Sequence, residues 1–202
     1  MRRAWDVVLA ELRATLPHLP ELRDFIGRPL PGPETYRAIE PAPMPVLARL
    51  PEARAATKTE YKPLINALIR HCERLHWIQS YNEGDGVDRK FLDNYAYLNV
   101  ASEIGPFVWD GPRVMIGLWG GGITYDEHWH EPEEIYSVIG GGARFRSPGS
   151  PPRDVGPGDS VIHASNQIHA TDMTPGPLLA VVAWRGDNLM KRADIGKDFG
   201  RG

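Results

Sequence analysis

Apolar residues recur with a helical period in the first third of the chain and with a strand period in its second half, and that change divides the sequence. Trp5, Val8, Leu9, Leu12 and Leu16 fall on one helical stripe, which Pro17 closes. Between Leu30 and Pro51, prolines at 31, 33, 41, 43, 45 and 51 forbid long regular elements and leave short turns and extended pieces. Thr57-Lys-Thr-Glu60 then has the form of a capping box. Tyr61, Leu64, Ile65, Leu68, Ile69, Cys72 and Leu75 follow it at i, i+3, i+4 spacing, which predicts a second, longer helix to about Trp77. After the polar turn Asn82 to Val87, a short segment around Phe91-Leu92 leads into Tyr95-Ala-Tyr97-Leu-Asn99-Val100, which alternates as a strand does.

From there the pattern is strand, turn, strand. Arg113 to Trp119, Thr124 to His130, Glu134 to Ile139, Ala143 to Phe145, Ser160 to His163, Ile168 to Thr171 and Leu178 to Trp184 are short and β-rich. Glycine clusters at 120–122, 140–142 and 156–158 punctuate them and read as hairpin turns; none opens a helix or ends in G-K-[ST], so none is a phosphate cradle. Short strands at this spacing specify a sandwich or barrel. The expected organisation is an N-terminal helical region, residues 1–90, packed on one β-barrel, residues 91–190, with a C-terminal tail at 191–202.

Composition narrows the function classes. A chain of 202 residues can bury a sizeable core without staples. A net charge of -3 and a pI near 6.2 leave no electrostatic footprint for nucleic acid or a membrane surface. Asp6, Glu11 and Arg13 interrupt any signal-peptide core, and no eighteen-residue apolar run exists, so no membrane association is expected. The single cysteine, Cys72, cannot form an internal disulfide, which makes a reducing cytoplasm the default compartment.

Candidate chemistry concentrates in Gly122 to Tyr136. On a strand, His128 and His130 are two apart and share a face, and Glu134 can return from the next strand after Pro132 has broken the first. With His169 as a distant third imidazole, the set suits one divalent transition metal, Zn, Fe, Ni, Co or Mn, and not Ca or Mg. His163, near the same strand end, reads either as a partner of a ligand or as a polar turn residue.

The spacing Gly122-x5-His128-x-His130-x3-Glu134-x5-Gly140, with Gly158-Asp159 and His169 later, resembles the two motifs of the cupin superfamily, G-x5-H-x-H-x3-4-E-x6-G and G-x5-P-x-G-x2-H-x3-N. The first matches residue by residue if Gly141 is taken as its last glycine. In the second, the proline and glycine before His169 are replaced, which touches only the local turn. The resemblance implies a mainly β fold, a single cupin barrel (double-stranded β-helix, jelly-roll) behind an N-terminal α-helical region. Tyr125-x2-His128-x-His130-x3-Glu134-x-Tyr136, His169-Ala170 and Trp184 are, more narrowly, similar to the DddQ-type dimethylsulfoniopropionate lyases and their cupin relatives, over about residues 90–187. In that family the positions matching His130, Glu134, Tyr136 and His169 hold the metal, and those matching Tyr125, His128 and Trp184 line the substrate pocket.

The implied reaction is metal-dependent β-elimination of dimethylsulfoniopropionate to acrylate and dimethyl sulfide. It needs a base for the proton next to the carboxylate, and Tyr136 and Tyr125 compete for that role, Tyr136 being also a candidate fourth ligand. A tyrosine with an ordinary pKa near ~10 is a poor base at neutral pH, so a neighbouring cation is required for either. Trp184, Trp129, Trp119, Tyr95 and Tyr97 are candidate aromatic walls for the sulfonium. The alternatives are a metal-dependent cupin oxidoreductase or isomerase acting on another small carboxylic acid, and a non-catalytic small-molecule-binding cupin. The partners expected are a small zwitterionic substrate and a second copy of the chain in a homodimer; the N-terminal helices are open to a role as lid, dimer interface or plain packing.

Overall fold

The structure, a computed structural model, describes residues 1–196. Helix α1 (Arg2–Thr15) buries Trp5, Val8, Leu9 and Leu12 on the expected stripe. Two short helices follow, α2 (Pro20–Ile26) and α3 (Leu50–Ala55), and then α4 (Lys62–His71), which packs on α1. The prolines start structure here as well as break it. Pro20, Pro51 and Pro63 stand in the first turns of α2, α3 and α4, and Pro33 and Pro45 open 3-10 turns, where a missing N–H costs nothing. Helix α4 stops short of the expected Trp77. Ala42 takes both the Leu75 carbonyl and the Trp77 N–H, which draws the chain out into strand β1 (Trp77–Ile78). The capping box does not form either. The Thr57 hydroxyl donates instead to the Ile139 carbonyl on the barrel, tying the helical region to a strand.

The barrel consists of α5 (Arg89–Asp93) at its entrance, then β2 (Tyr95–Ser102), β3 (Phe107–Val108), β4 (Arg113–Trp119), β5 (Thr124–Trp129), β6 (Glu133–Gly141), β7 (Ala143–Arg146), β8 (Arg153–Val155), β9 (Ser160–His163), β10 (His169–Asp172), β11 (Leu178–Arg185) and β12 (Asp194–Ile195). One sheet runs β1-β2-β4-β11-β6-β9, with β3 parallel on β2; the other runs β12-β5-β10-β7-β8. The remaining pairings are antiparallel, and the two facing sheets are the jelly-roll expected of a cupin barrel. Trp77–Ile78, from the region expected to be helical, and Asp194–Ile195, from the expected tail, both join the sheets; the tail beyond residue 196 lies outside the described residues. Among the described residues no helix is long and apolar enough to cross a membrane.

The three glycine clusters are not hairpin turns. Each lies where the chain leaves one sheet for the other: β4 to β5, β6 to β7 and β8 to β9. The corner at Gly140-Gly141-Gly142 shows why side chains are excluded. Gly141 has φ +68, its added Cβ would collide with the Pro177 carbonyl, and one at Gly140 would meet the Ala53 carbonyl at 2.7 Å.

Strand alternation fixes which side chains face the chemistry. On β11, Leu179, Val181 and Ala183 join the core under the N-terminal helices, with Ile135 and Ile139 of β6 and Trp5, Leu9 and Leu68 opposite. Leu178, Ala180, Val182 and Trp184 face the barrel interior with Met115, Trp119, Tyr136 and Phe145. The helices thus cover one face of the large sheet and leave its other face to the site.

Gly141→Ala should lower stability by about 2 kcal/mol or more, combining left-handed strain with the carbonyl clash. Urea unfolding monitored by tryptophan fluorescence reads it; an unchanged midpoint would show that the corner yields freely.

Candidate metal centre and active-site cavity

Inside the barrel, Arg113 on β4, Trp184 on β11, Glu134 on β6 and His163 on β9 are successive Cα partners, a row across the larger sheet. The smaller sheet faces it with His169 on β10, whose Cα partner is His128 on β5, and with His130 just past the end of β5. The candidate ligand atoms of His130, Glu134 and His169 all lie within 4.8 Å of one another, and all three residues are buried. His130 Nε2 is 3.0 Å and His169 Nε2 3.2 Å from Glu134 Oε2, while Trp184 Nε1 donates to Oε1 at 2.6 Å.

The donor set fits a divalent transition ion, and the tautomers say why. His130 Nδ1 donates to the Pro132 carbonyl and His169 Nδ1 to the Gln167 carbonyl, each at 2.8 Å. A carbonyl only accepts, so each Nδ1 carries a hydrogen; in the neutral ring each Nε2 then presents a lone pair toward the carboxylate, whereas a protonated His130 donates from Nε2 to Glu134 Oε2. His169 Nε2, although near Oε2, is buried with no hydrogen bond. Lone pairs converging on a carboxylate need a cation between them, and rings oriented by backbone carbonyls are what metal-binding histidines commonly show.

Charge coupling points the same way. Burial would push the His130 ring down, but the Glu134 carboxylate overrides it and raises the pKa. Burial would likewise raise Glu134, yet His130 and His169 hold it well below the usual carboxylate range. The carboxylate is therefore ionised and attracts positive charge, which a divalent ion can supply by displacing the His130 proton.

A β-bulge shapes the other half of the site. Between its pairings with His169 and Thr171, β5 advances from His128 to Tyr125, three residues against two. Tyr125 and His128, which strict alternation would send to opposite faces, therefore both turn inward and stack at 3.6 Å with their planes 13° apart. His128 is buried, and its Nδ1 is held by the Asp126 carbonyl at 2.8 Å. It meets His169 edge-on at 4.0 Å and falls outside the three-residue cluster.

Tyr125, Tyr136 and Trp184 line one cavity with Glu134, together with Trp119, Tyr95, Tyr97, Tyr81 and Arg113; His128 and Trp129 are not part of its wall. Burial first, and nearby negative or polar groups second, raise the pKa of Tyr125 and Tyr136 well above the ordinary phenol value. For Tyr136 the second cause is Glu134; for Tyr125 it is Tyr81. The larger cavity, of about 670 Å³, lies elsewhere, at the Gly141 corner, and holds none of these residues.

Two cavity residues give little sign of themselves in the sequence. Tyr81 sits in what reads as a turn, yet its hydroxyl lies 2.5 Å from that of Tyr125 and donates to the Ala193 carbonyl at 3.1 Å. Arg113 had only its inward register on β4 as a signal. Asn166, with φ 57, occupies a left-handed position three residues before His169, and its N–H donates to the His130 carbonyl.

Comparison with known proteins agrees with this arrangement. A family model described as dimethylsulfoniopropionate lyase matches residues 28–180. The dimethylsulfoniopropionate lyase DddQ of Ruegeria pomeroyi is 34% identical over 184 residues, covering 91% of this chain and 90% of that protein. Its crystal structure superposes with a TM-score of 0.83 at 32% identity, covering 95% of each chain. A chain from crystal structures of the lyases RdDddP and RnDddQII superposes with a TM-score of 0.86 at 33% identity, covering 97% of this chain and 99% of that one.

His130→Ala, Glu134→Ala and His169→Ala should each strip bound metal while His128→Ala keeps it, read by elemental analysis after purification with supplied Zn or Fe. Full occupancy in any of the first three removes that residue from the ligand set. A second expectation concerns acid. Burial, and His169 beside it, hold His163 down to about 3. Unfolded, it takes a proton near ~6.5, so between these values the unfolded state binds more protons and stability falls as the pH drops. His163→Phe should flatten that acid limb by a few kcal/mol in metal-free protein. An equally steep limb would place the acid sensitivity elsewhere.

Proposed function

Since the chain belongs to the dimethylsulfoniopropionate lyase family, we propose that it is a metal-dependent carbon-sulfur lyase that cleaves dimethylsulfoniopropionate to acrylate and dimethyl sulfide by β-elimination. The observation that carries this reading is a buried His130, Glu134 and His169 cluster whose Glu134 lines the same cavity as Tyr125 and Tyr136. One divalent transition ion held by those three residues, with Tyr136 as fourth donor, supplies a Lewis acid for the substrate carboxylate. The single thiol, Cys72, remains the ground for a cytoplasmic compartment.

Tyr125 is the base in this scheme. Its oxygen takes the proton next to the carboxylate, the C–H pair becomes the new double bond, and the C–S pair leaves with sulfur as neutral dimethyl sulfide. No acid is needed for that departure. The Tyr81 hydroxyl, 2.5 Å away, gives its one hydrogen to the Ala193 carbonyl and accepts from Tyr125, so this contact, like burial, raises the Tyr125 pKa, and the phenolate depends on the charge of a bound metal. Tyr136 instead adjoins the Glu134 charge, which opposes its ionisation and suits it better to a ligand's place. The sulfonium, left without a counter-ion, lies against the ring faces of Tyr95 and Trp119 in the same wall.

Headspace gas chromatography with purified, metal-supplied protein tests the function: dimethyl sulfide should appear from millimolar dimethylsulfoniopropionate, and none would end this reading. Tyr125→Phe should keep its metal and lose turnover by about 100-fold or more. Tyr136→Phe should weaken metal binding. The reverse pattern would exchange the two roles.

A further inference from the structure

Among the described residues no other arginine or lysine is buried as Arg113 is, at 5% exposure. Its Nε donates to Asn99 Oδ1 at 2.7 Å, one terminal nitrogen to the Leu189 carbonyl at 2.9 Å and the other to the Tyr97 hydroxyl at 3.2 Å. All three partners are neutral, and among the described residues no carboxylate oxygen lies within 4.0 Å of it. Its guanidinium carbon stands 5.4 Å from the ring centres of both Tyr97 and Trp184, so aromatic faces and dipoles hold the charge without cancelling it. Burying a cation without a counter-ion is expensive, and the guanidinium keeps one spare N–H on each terminal nitrogen. The residue also lines the cavity, on the row that runs through Trp184 to Glu134.

We infer that Arg113 is a substrate-binding residue whose missing counter-ion is the substrate's carboxylate. The inference rests on the lyase reading for the rest of the substrate but not for its acid group. Arg113 attracts a carboxylate and repels a sulfonium, so it gives a zwitterion one direction in the cavity: acid group toward the Arg113, Trp184 and Glu134 row, sulfonium toward Tyr95 and Trp119. Asn99, Tyr97 and the Leu189 carbonyl fix the fork in place before the substrate arrives, so little side-chain freedom is lost on binding. The ligand class that follows is short carboxylates, with or without a cationic far end.

Titration calorimetry of the metal-loaded protein with propanoate, and separately with trimethylsulfonium, tests this without depending on turnover. Arg113→Gln should weaken propanoate binding on the order of 10- to 100-fold and leave trimethylsulfonium binding unweakened, with Arg113→Lys recovering part of the loss. If the wild type also releases dimethyl sulfide, KM should rise more than kcat falls. Equal propanoate affinity in wild type and Arg113→Gln, at unchanged metal content, overturns the inference and leaves Arg113 as a tie between β2, β4 and the Leu189 segment. So does a loss of thermal stability that Arg113→Lys repairs with no change in propanoate affinity. Absence of dimethyl sulfide release with intact, Arg113-dependent propanoate binding defeats the lyase reading alone.

Discussion

The site is organised around one buried carboxylate. Glu134 is 2% exposed, and an ionised carboxylate there is tolerated only where positive charge or donors face it. His130 and His169 approach one oxygen and the Trp184 indole the other. These partners come from both sheets: β6 and β11 supply Glu134 and Trp184, while β10 and the end of β5 supply the histidines. The barrel has to close around the carboxylate for its charge to be met. Site and fold are therefore set by the same constraint.

That closure depends on the placement of apolar residues one strand position away. Ile135 and Ile139 send one face of β6 into the core under α1 and α4, which leaves Glu134 and Tyr136 no choice but the interior. A slip of one residue would put Glu134 among leucines. The hydrophobic packing of the N-terminal helices thus acts on the chemistry without touching it, by holding the register of β6 and β11.

Much of this was legible in the chain. The change of apolar period separated helices from strands, and the two-residue spacing of His128 and His130 correctly put both inside. What spacing could not show was which of them reaches Glu134. That was decided by the bulge in β5 and by the different backbone carbonyls that orient each ring, and both depend on the partner strand β10. The glycine clusters announced turns but not their kind, because a corner between sheets and a hairpin ask for the same freedom from Cβ. Prolines were legible as breaks but not as starts, because a proline that ends one element can begin the next. Tyr81 and Arg113 were hidden because their roles come from contacts more than ten residues away, with Tyr125, Ala193, Asn99 and Leu189.

The two phenols in the cavity carry the last step. Burial holds Tyr125 and Tyr136 protonated, with pKa values raised well above that of free tyrosine. A base of that kind is inert near neutral pH unless the surroundings turn positive, since every tenfold gain in proton affinity has to be offset by about 1.4 kcal/mol of interaction favouring the phenolate. The Glu134 charge by itself works against ionisation of Tyr136. In the proposed scheme a divalent ion on His130, Glu134 and His169 would reverse the local sign, and the charge of Arg113 would add to it. A carboxylate substrate would then enter a cavity already short of negative charge. The same imbalance that favours binding the acid group is what a tyrosine base requires, so binding and proton abstraction draw on one electrostatic arrangement.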